Sequence, residues 1–165
     1  MRTGVVAAVV VLLAGCGGDK GGEGWIKAKR VEASGLASGI AFTIQVPEGF
    51  AKAGDDKYPE WKTEKVSFQV SSTEQLTSME AAIAKISVPG DQYHVEKKAG
   101  LPDGFVIRRL SEPEKPGVVF VDVFKSTGAR NLLCHGSAQA SGRTFDDLAG
   151  TLDALEAVCS SMTVR

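Results

Sequence analysis

The sequence predicts an α+β fold, an antiparallel β-sheet flanked by helices in a sandwich of helix, sheet and helix. Three observations carry this. Several segments alternate apolar and polar residues with period two, their connections are too short for parallel crossovers, and two segments switch to steps of three and four. With 165 residues, 43% of them hydrophobic and 24% charged, the chain suits one domain around a single core.

Residues 25–31 are expected as a first strand. In 40–46, Ile40, Phe42, Ile44 and Val46 alternate with Ala41, Thr43 and Gln45, which buries one face, and Pro47, Glu48 and Gly49 stop the strand. Val66, Phe68 and Val70 share a face of the next. The period then changes. Ser72 and Gln75 have the spacing of a capping box, and Leu76, Met79, Ile83 and Ile86 follow at helical steps, with a stop by Pro89 and Gly90.

A meander comes next, with 94–98 and 105–110 around the turn residues 100–104, and 118–125 and 131–138 around Ser126, Thr127 and Gly128. Residues 118–124 are apolar on both faces except at Asp122, the pattern of a central strand covered on each side. In the last element Thr144 and Asp147 can cap a helix whose stripe is Phe145, Leu148, Leu152, Leu155, Cys159 and Met162.

The N-terminus has a different logic. Arg2 precedes an unbroken apolar run, residues 5–13, about half the roughly 20 residues that span a bilayer, so residues 1–15 fit a removable export signal. Leu13, Ala14, Gly15 and Cys16 resemble the lipoprotein box of bacterial lipoproteins. The resemblance implies that Cys16 carries a diacylglycerol thioether and an amide-linked third chain such as palmitate, and becomes the new N-terminus. Several acyl chains, at about 0.8 kcal/mol per buried CH₂, make a lasting anchor. Residues 16–24 are then the lipidated cysteine and a glycine-rich tether reaching about 16 Å, and 25–165 the globular domain. Gly17 in place of Asp favours the outer membrane in that family's sorting pattern where the cell has one, and otherwise the outer face of the plasma membrane.

Export also sorts the three cysteines. With Cys16 acylated, Cys134 and Cys159 remain as a pair in an oxidising compartment and are expected to form a disulfide. Redox chemistry is disfavoured because His135, next to Cys134, points to the opposite face of a strand.

The passage from Phe42 through Pro47, Glu48, Gly49 and Phe50, with the capped helix, the meander and the long final helix, resembles the PsbP-like fold, which also occurs in small lipoproteins of the LpqN type. The resemblance covers most of residues 25–165 and implies a scaffold whose members bind proteins or assemble complexes; neither the anchor nor the cysteine pair is required by it.

Function classes narrow accordingly. Nineteen basic against twenty acidic residues give a net charge of −1, no footprint for nucleic acid. His94 and His135 lie on different strands without a paired ligand motif, so no metal or other cofactor is expected. Ser137, His135 and Asp122 make a hydrolase trio only on paper, because Gly-x-Ser-x-Gly is absent, and no catalytic residue is assigned. Asp122 either pairs with Arg108 or Arg109 or points into a ligand cleft. Phe50, Tyr58 and Trp61 are the candidate interaction surface, with capping of the sheet edge as the alternative. The expectation is a lipid-anchored, non-enzymatic envelope protein that binds a protein partner or stabilises a complex. The alternative is a small-molecule or lipid carrier with a pocket between sheet and helices.

Overall fold

Alternation becomes sheet, and the helical steps become helices, in the order the patterns run. A computed structural model describes residues 23–87, 93–112, 116–140 and 142–165, with the side chains of Lys97 and Phe145 left out. The signal segment, Cys16, most of the tether and Pro89–Gly90 lie outside the described residues. The elements are α1 (Gly24–Lys27), β1 (Arg30–Ala37), β2 (Ile40–Pro47), β3 (Ala51–Ala53), β4 (Glu60–Lys62), β5 (Val66–Glu74), α2 (Met79–Ile86), β6 (His94–Leu101), β7 (Gly104–Leu110), β8 (Val118–Ser126), β9 (Arg130–Gln139), α3 (Phe145–Ser160) and β10 (Thr163–Val164). The fold is α+β and antiparallel, as expected, but its strands divide into two sheets: β1-β2-β10, and β3-β4-β5-β9-β8-β7-β6.

Three local expectations are corrected. Residues 25–31 do not form a strand; α1 ends at Lys27 and β1 begins at Arg30, because Trp25 turns inward to meet Phe50 and Phe68 edge-on, with ring centres 6.4 and 6.0 Å away. Ser72 and Gln75 do not cap α2. Ser72 stays in β5, paired with Leu132 of β9, and the cap is Ser78, whose hydroxyl accepts from the Ala81 N–H at 3.1 Å. The short strands β3 and β4 form between β2 and β5, where no strand was expected.

Side-chain alternation then builds the layers. Val66, Phe68 and Val70 of β5, Val119, Val121 and Val123 of β8, and Leu132 and Cys134 of β9 face one way, into the main core. They meet Phe42, Ile44 and Val46 of β2 and Leu148, Leu152, Leu155, Cys159 and Met162 of α3. Burying each large apolar side chain is worth about 1.5–3 kcal/mol, so this stripe holds α3 in place. Thr144 and Asp147 supply the predicted reciprocal cap. Arg108, on the core face of β7, bonds Asp153 and Glu156 of α3, both at 2.7 Å. Burial works to lower the Arg108 value, but these two carboxylates outweigh it and raise it. Cys134 and Cys159 are joined by a disulfide in this core, with Cα atoms 5.4 Å apart. On the opposite face α2 covers Ile107, Phe124 and Leu133 with Ala82, Met79, Ile83 and Ile86.

Two glycines are required by geometry. Gly39, with φ +85°, follows Ser38 at +50° in the two-residue turn of the β1-β2 hairpin, where a positive φ matches strand twist. A Cβ at Gly104 would stand 1.8 Å from the carbonyl oxygen of Phe124, inside the backbone of the neighbouring strand.

Candidate functional site

The interruption in β8 locates the site. Phe120, Asp122 and Phe124 point away from α3, and α2 packs only on the Phe124 end of that face. Beyond α2 the sheet face is polar. The strand register aligns Gln69 of β5 with His135 of β9, and His135 with Asp122 of β8.

Asp122 has 0% exposure, and its carboxylate is fully engaged. One oxygen accepts from Arg109 Nε at 2.8 Å and the other from His135 Nδ1 at 2.7 Å. The Arg109 side chain is 6% exposed; its Nη1 also donates to the Ile86 carbonyl at 3.2 Å. Its guanidinium lies 4.8 Å from the Tyr93 ring centre and 5.0 Å from that of Phe120, contacts that favour a desolvated cation. Tyr93 meets Phe120 edge-on at 5.3 Å, and Phe120 stacks on His135 at 5.4 Å. Because a carboxylate only accepts, the hydrogen-bond network puts the hydrogen on Nδ1 and leaves Nε2 on the side of the ring away from Asp122.

Around this cluster is an open hollow of about 290 Å³, lined by Gln69, Ser71, Lys85, Tyr93 and His135 beside the Arg109–Asp122 pair. The Lys85 ammonium contacts both Glu74 oxygens, at 2.9 and 3.0 Å. Lys85 is the main reason the Glu74 carboxyl is pulled down to about 2, helped by its own backbone and Thr73. The hollow lies between the sheet and α2, where the alternative carrier reading places a pocket, and its lining mixes charged and hydrogen-bonding groups with Ile86, Phe120 and Leu133.

The structure thus resolves the two readings of Asp122: it pairs with Arg109, while Arg108 serves the other face. Asp122 and His135 are brought together, but Ser137 is not. Its hydroxyl lies 3.0 Å from that of Ser67, in a separate hollow of about 240 Å³ near Thr63 and Val118. Among the described residues no three His, Cys, Asp or Glu side chains gather as a metal would need; His94 stands exposed on β6. His135 and Cys134 face opposite sides of β9, as strand geometry requires.

The three loop aromatics do not make one exposed surface. Trp61 is 3% exposed and meets Phe42 edge-on at 6.1 Å. Phe50 is half-buried against Trp25 and Phe68. Tyr58 alone stays out, at 42% exposure, so Phe50 and Trp61 close the sheet end. Sequence reasoning missed Gln69, Lys85 and Tyr93. The strand register that brings Gln69 beside His135 is non-local, and nothing near Tyr93 in the chain marks it as a partner of Arg109.

No protein-family model matches this chain, and no curated protein matches it. Among solved structures, the 1.9 Å crystal structure of the Saccharomyces cerevisiae Ran-binding protein Mog1p matches with a TM-score of 0.61. The fold is Mog1p-like. The match covers 83% of this chain and 96% of Mog1p, at 11% sequence identity, and so concerns architecture alone.

Proposed function

We propose that this chain is a lipid-anchored cell-envelope protein whose domain acts, without catalysis, as a protein-binding or complex-stabilising module. The observation that carries the anchoring is the run from the apolar segment 5–13 into Leu13, Ala14, Gly15 and Cys16, followed by five glycines among the eight residues 17–24. The cysteine pair agrees with export, since disulfides persist in oxidising compartments. Protein binding is supported by the Mog1p-like fold, whose yeast example is described as Ran-binding, and by the resemblance of the element order and the 42–50 passage to the PsbP-like fold. The pairing of the Ser137 hydroxyl with Ser67, while Asp122 bonds His135, speaks against the one hydrolytic arrangement the sequence offered.

Membrane fractionation of cells making the natural chain and Cys16→Ser tests the anchor. The natural chain should fractionate with membrane and yield an N-terminal peptide that begins at an acylated Cys16; Cys16→Ser should be soluble. A natural chain that is soluble, or a mature N-terminus elsewhere, would refute it.

A further inference from the structure

A sheet's outer strands present backbone donors and acceptors that lack a neighbour, and folded chains blunt such edges with short strands, bulges, lysines or proline. The outer strands here are β1, β10, β3 and β6. β3 and β10 have three and two residues. β6 carries Lys97 and Lys98, and its register shifts between Val95 and Lys97. β1 has none of these devices: it runs eight residues without lysine or proline, in unbroken register with β2.

The free groups of β1 follow from those of β2. The Ala41 carbonyl accepts from the Arg165 N–H at 3.0 Å, and the Gln45 N–H donates to the Ser161 hydroxyl at 2.9 Å, so residues 41, 43 and 45 turn their backbone groups away from β1. Directly opposed residues of an antiparallel pair exchange both bonds or neither, in alternation. Leu36, Ser34 and Glu32, opposite Ala41, Thr43 and Gln45, therefore point their N–H and C=O groups outward from the sheet edge. Among the described residues no backbone bond reaches them. All three are exposed. Leu36, at 45%, is one of the two large apolar side chains most open to solvent among the described residues.

We propose that β1 is a dimerisation edge, occupied by β1 of a second copy of this chain, added antiparallel about a two-fold axis at Ser34. The inference goes beyond the reading above and does not depend on it, since an unanchored chain would pair in the same way. A row of outward N–H and C=O groups is matched by another strand, and charge selects the register. An axis at Glu32 sets the two Glu32 carboxylates opposite each other, and an axis at Ala33 sets them on the diagonal, about 7–8 Å apart, where like charges repel. An axis at Ser34 places each Glu32 opposite Leu36 of the copy and well clear of the other Glu32. In that register β1 complements itself: Glu32, Ser34 and Leu36 meet the same three residues, and inward-facing Ala33 meets Gly35. Arg165 holds Glu32 at 3.0 Å, so Leu36 of the copy packs beside a neutralised pair. The two three-stranded sheets become one continuous sheet, joined in the isologous way that is commonest for soluble chains.

The probe is the chain itself. Sedimentation equilibrium of the purified natural chain in density-matched detergent should give the mass of two chains, falling toward one on dilution. Hydrogen exchange on the same samples should show the Glu32, Ser34 and Leu36 amides slowed severalfold where the two-chain species dominates. Ser34→Pro removes the central outward donor without touching a bond to β2, at a position where edge strands accept proline; it should keep its urea midpoint and have the mass of one chain. Ser34→Cys needs no such backbone change. Mild oxidation in cells should link two copies through it, because opposed residues whose backbones bond lie about 5.5 Å apart, within disulfide reach, whereas Lys98→Cys on β6 should not link. A natural chain with the mass of one chain at every concentration would overturn the proposal, including the case in which slow amides show that another part of the chain, such as the residues before 23, covers the edge. So would a two-chain species whose Glu32, Ser34 and Leu36 amides stay fast, a folded Ser34→Pro that still pairs, or linkage no greater in Ser34→Cys than in Lys98→Cys.

Discussion

Asp122→Ala would leave the Arg109 guanidinium inside the sheet without its counter-charge. The lost contacts are the Arg109 Nε bond at 2.8 Å and the His135 Nδ1 bond at 2.7 Å, made by a carboxylate with no exposure. Breaking a buried pair by removing one partner costs about 3–5 kcal/mol. Arg109 keeps the Ile86 carbonyl and the faces of Tyr93 and Phe120, which places the loss at the low end, about 3 kcal/mol. At roughly 2–4 °C per kcal/mol for a domain of this size, the melting temperature should fall by about 6–12 °C. Urea unfolding gives the value directly, with the midpoint shifting and the slope unchanged. The discriminating variant is Arg109→Met combined with Asp122→Leu, which removes both charges and fills the space. It should recover to within about 1–2 kcal/mol of the natural chain. A single-variant loss below about 1 kcal/mol, or a double variant no more stable than the single, would refute the claim that the pair is a buried, mutually dependent unit.

Non-reducing peptide mapping should find Cys134 linked to Cys159, and Cys134→Ser with Cys159→Ser should lose about 3–4 kcal/mol in urea unfolding, from reopening a 25-residue separation; free thiols in envelope-derived protein would contradict this. Gly104→Ala should lose at least about 1–3 kcal/mol, since its Cβ would stand 1.8 Å from the Phe124 carbonyl oxygen; unfolding indistinguishable from the natural chain would show that β7 and β8 are not so close. Lys85 holds the Glu74 carboxyl at about 2 instead of 4.5, so the pair favours the folded state above pH 4.5 and loses that effect as pH falls toward 2. Urea midpoints of the natural chain and Glu74→Gln should therefore converge across that window; a difference that stays constant through it would contradict the pairing.

Where local chemistry decides structure, the sequence was a sufficient guide. The alternation of Ile40, Phe42, Ile44 and Val46, the Thr144–Asp147 cap and the apolar stripe of α3 all depend on near neighbours. The cysteine pair was legible because an odd count of three, with Cys16 expected to be acylated, left two. The failures lie where distant chain segments override local preference. Ser72 and Gln75 spell a capping box, yet β9 continues to pair with β5 as far as Glu74 and Arg130, so the helix starts later. Trp25 sits in a segment suited to a strand, but burial against Phe50 and Phe68 turns it inward. The same physics explains the site. Asp122 was conspicuous because a carboxylate in an apolar strand needs a partner, and Arg109 was one of the two candidates. Lys85 and Gln69 reach the hollow from α2 and β5, and their arrival depends on packing and strand order, which no short motif encodes. For Phe50 and Trp61 the sequence left an interface and capping of the sheet edge both open, and the short strands β3 and β4 fold that segment back so that these two cap the sheet end.

The most direct test of the proposed role is crosslinking of the lipidated chain in its own cells, with quantification of everything that copurifies. A protein-binding module in the envelope should yield one dominant protein partner in near-equal amount, lost when Cys16→Ser releases the chain from the membrane. No stoichiometric protein partner, or a set of partners unchanged by Cys16→Ser, would contradict an anchored module that binds or stabilises another envelope protein.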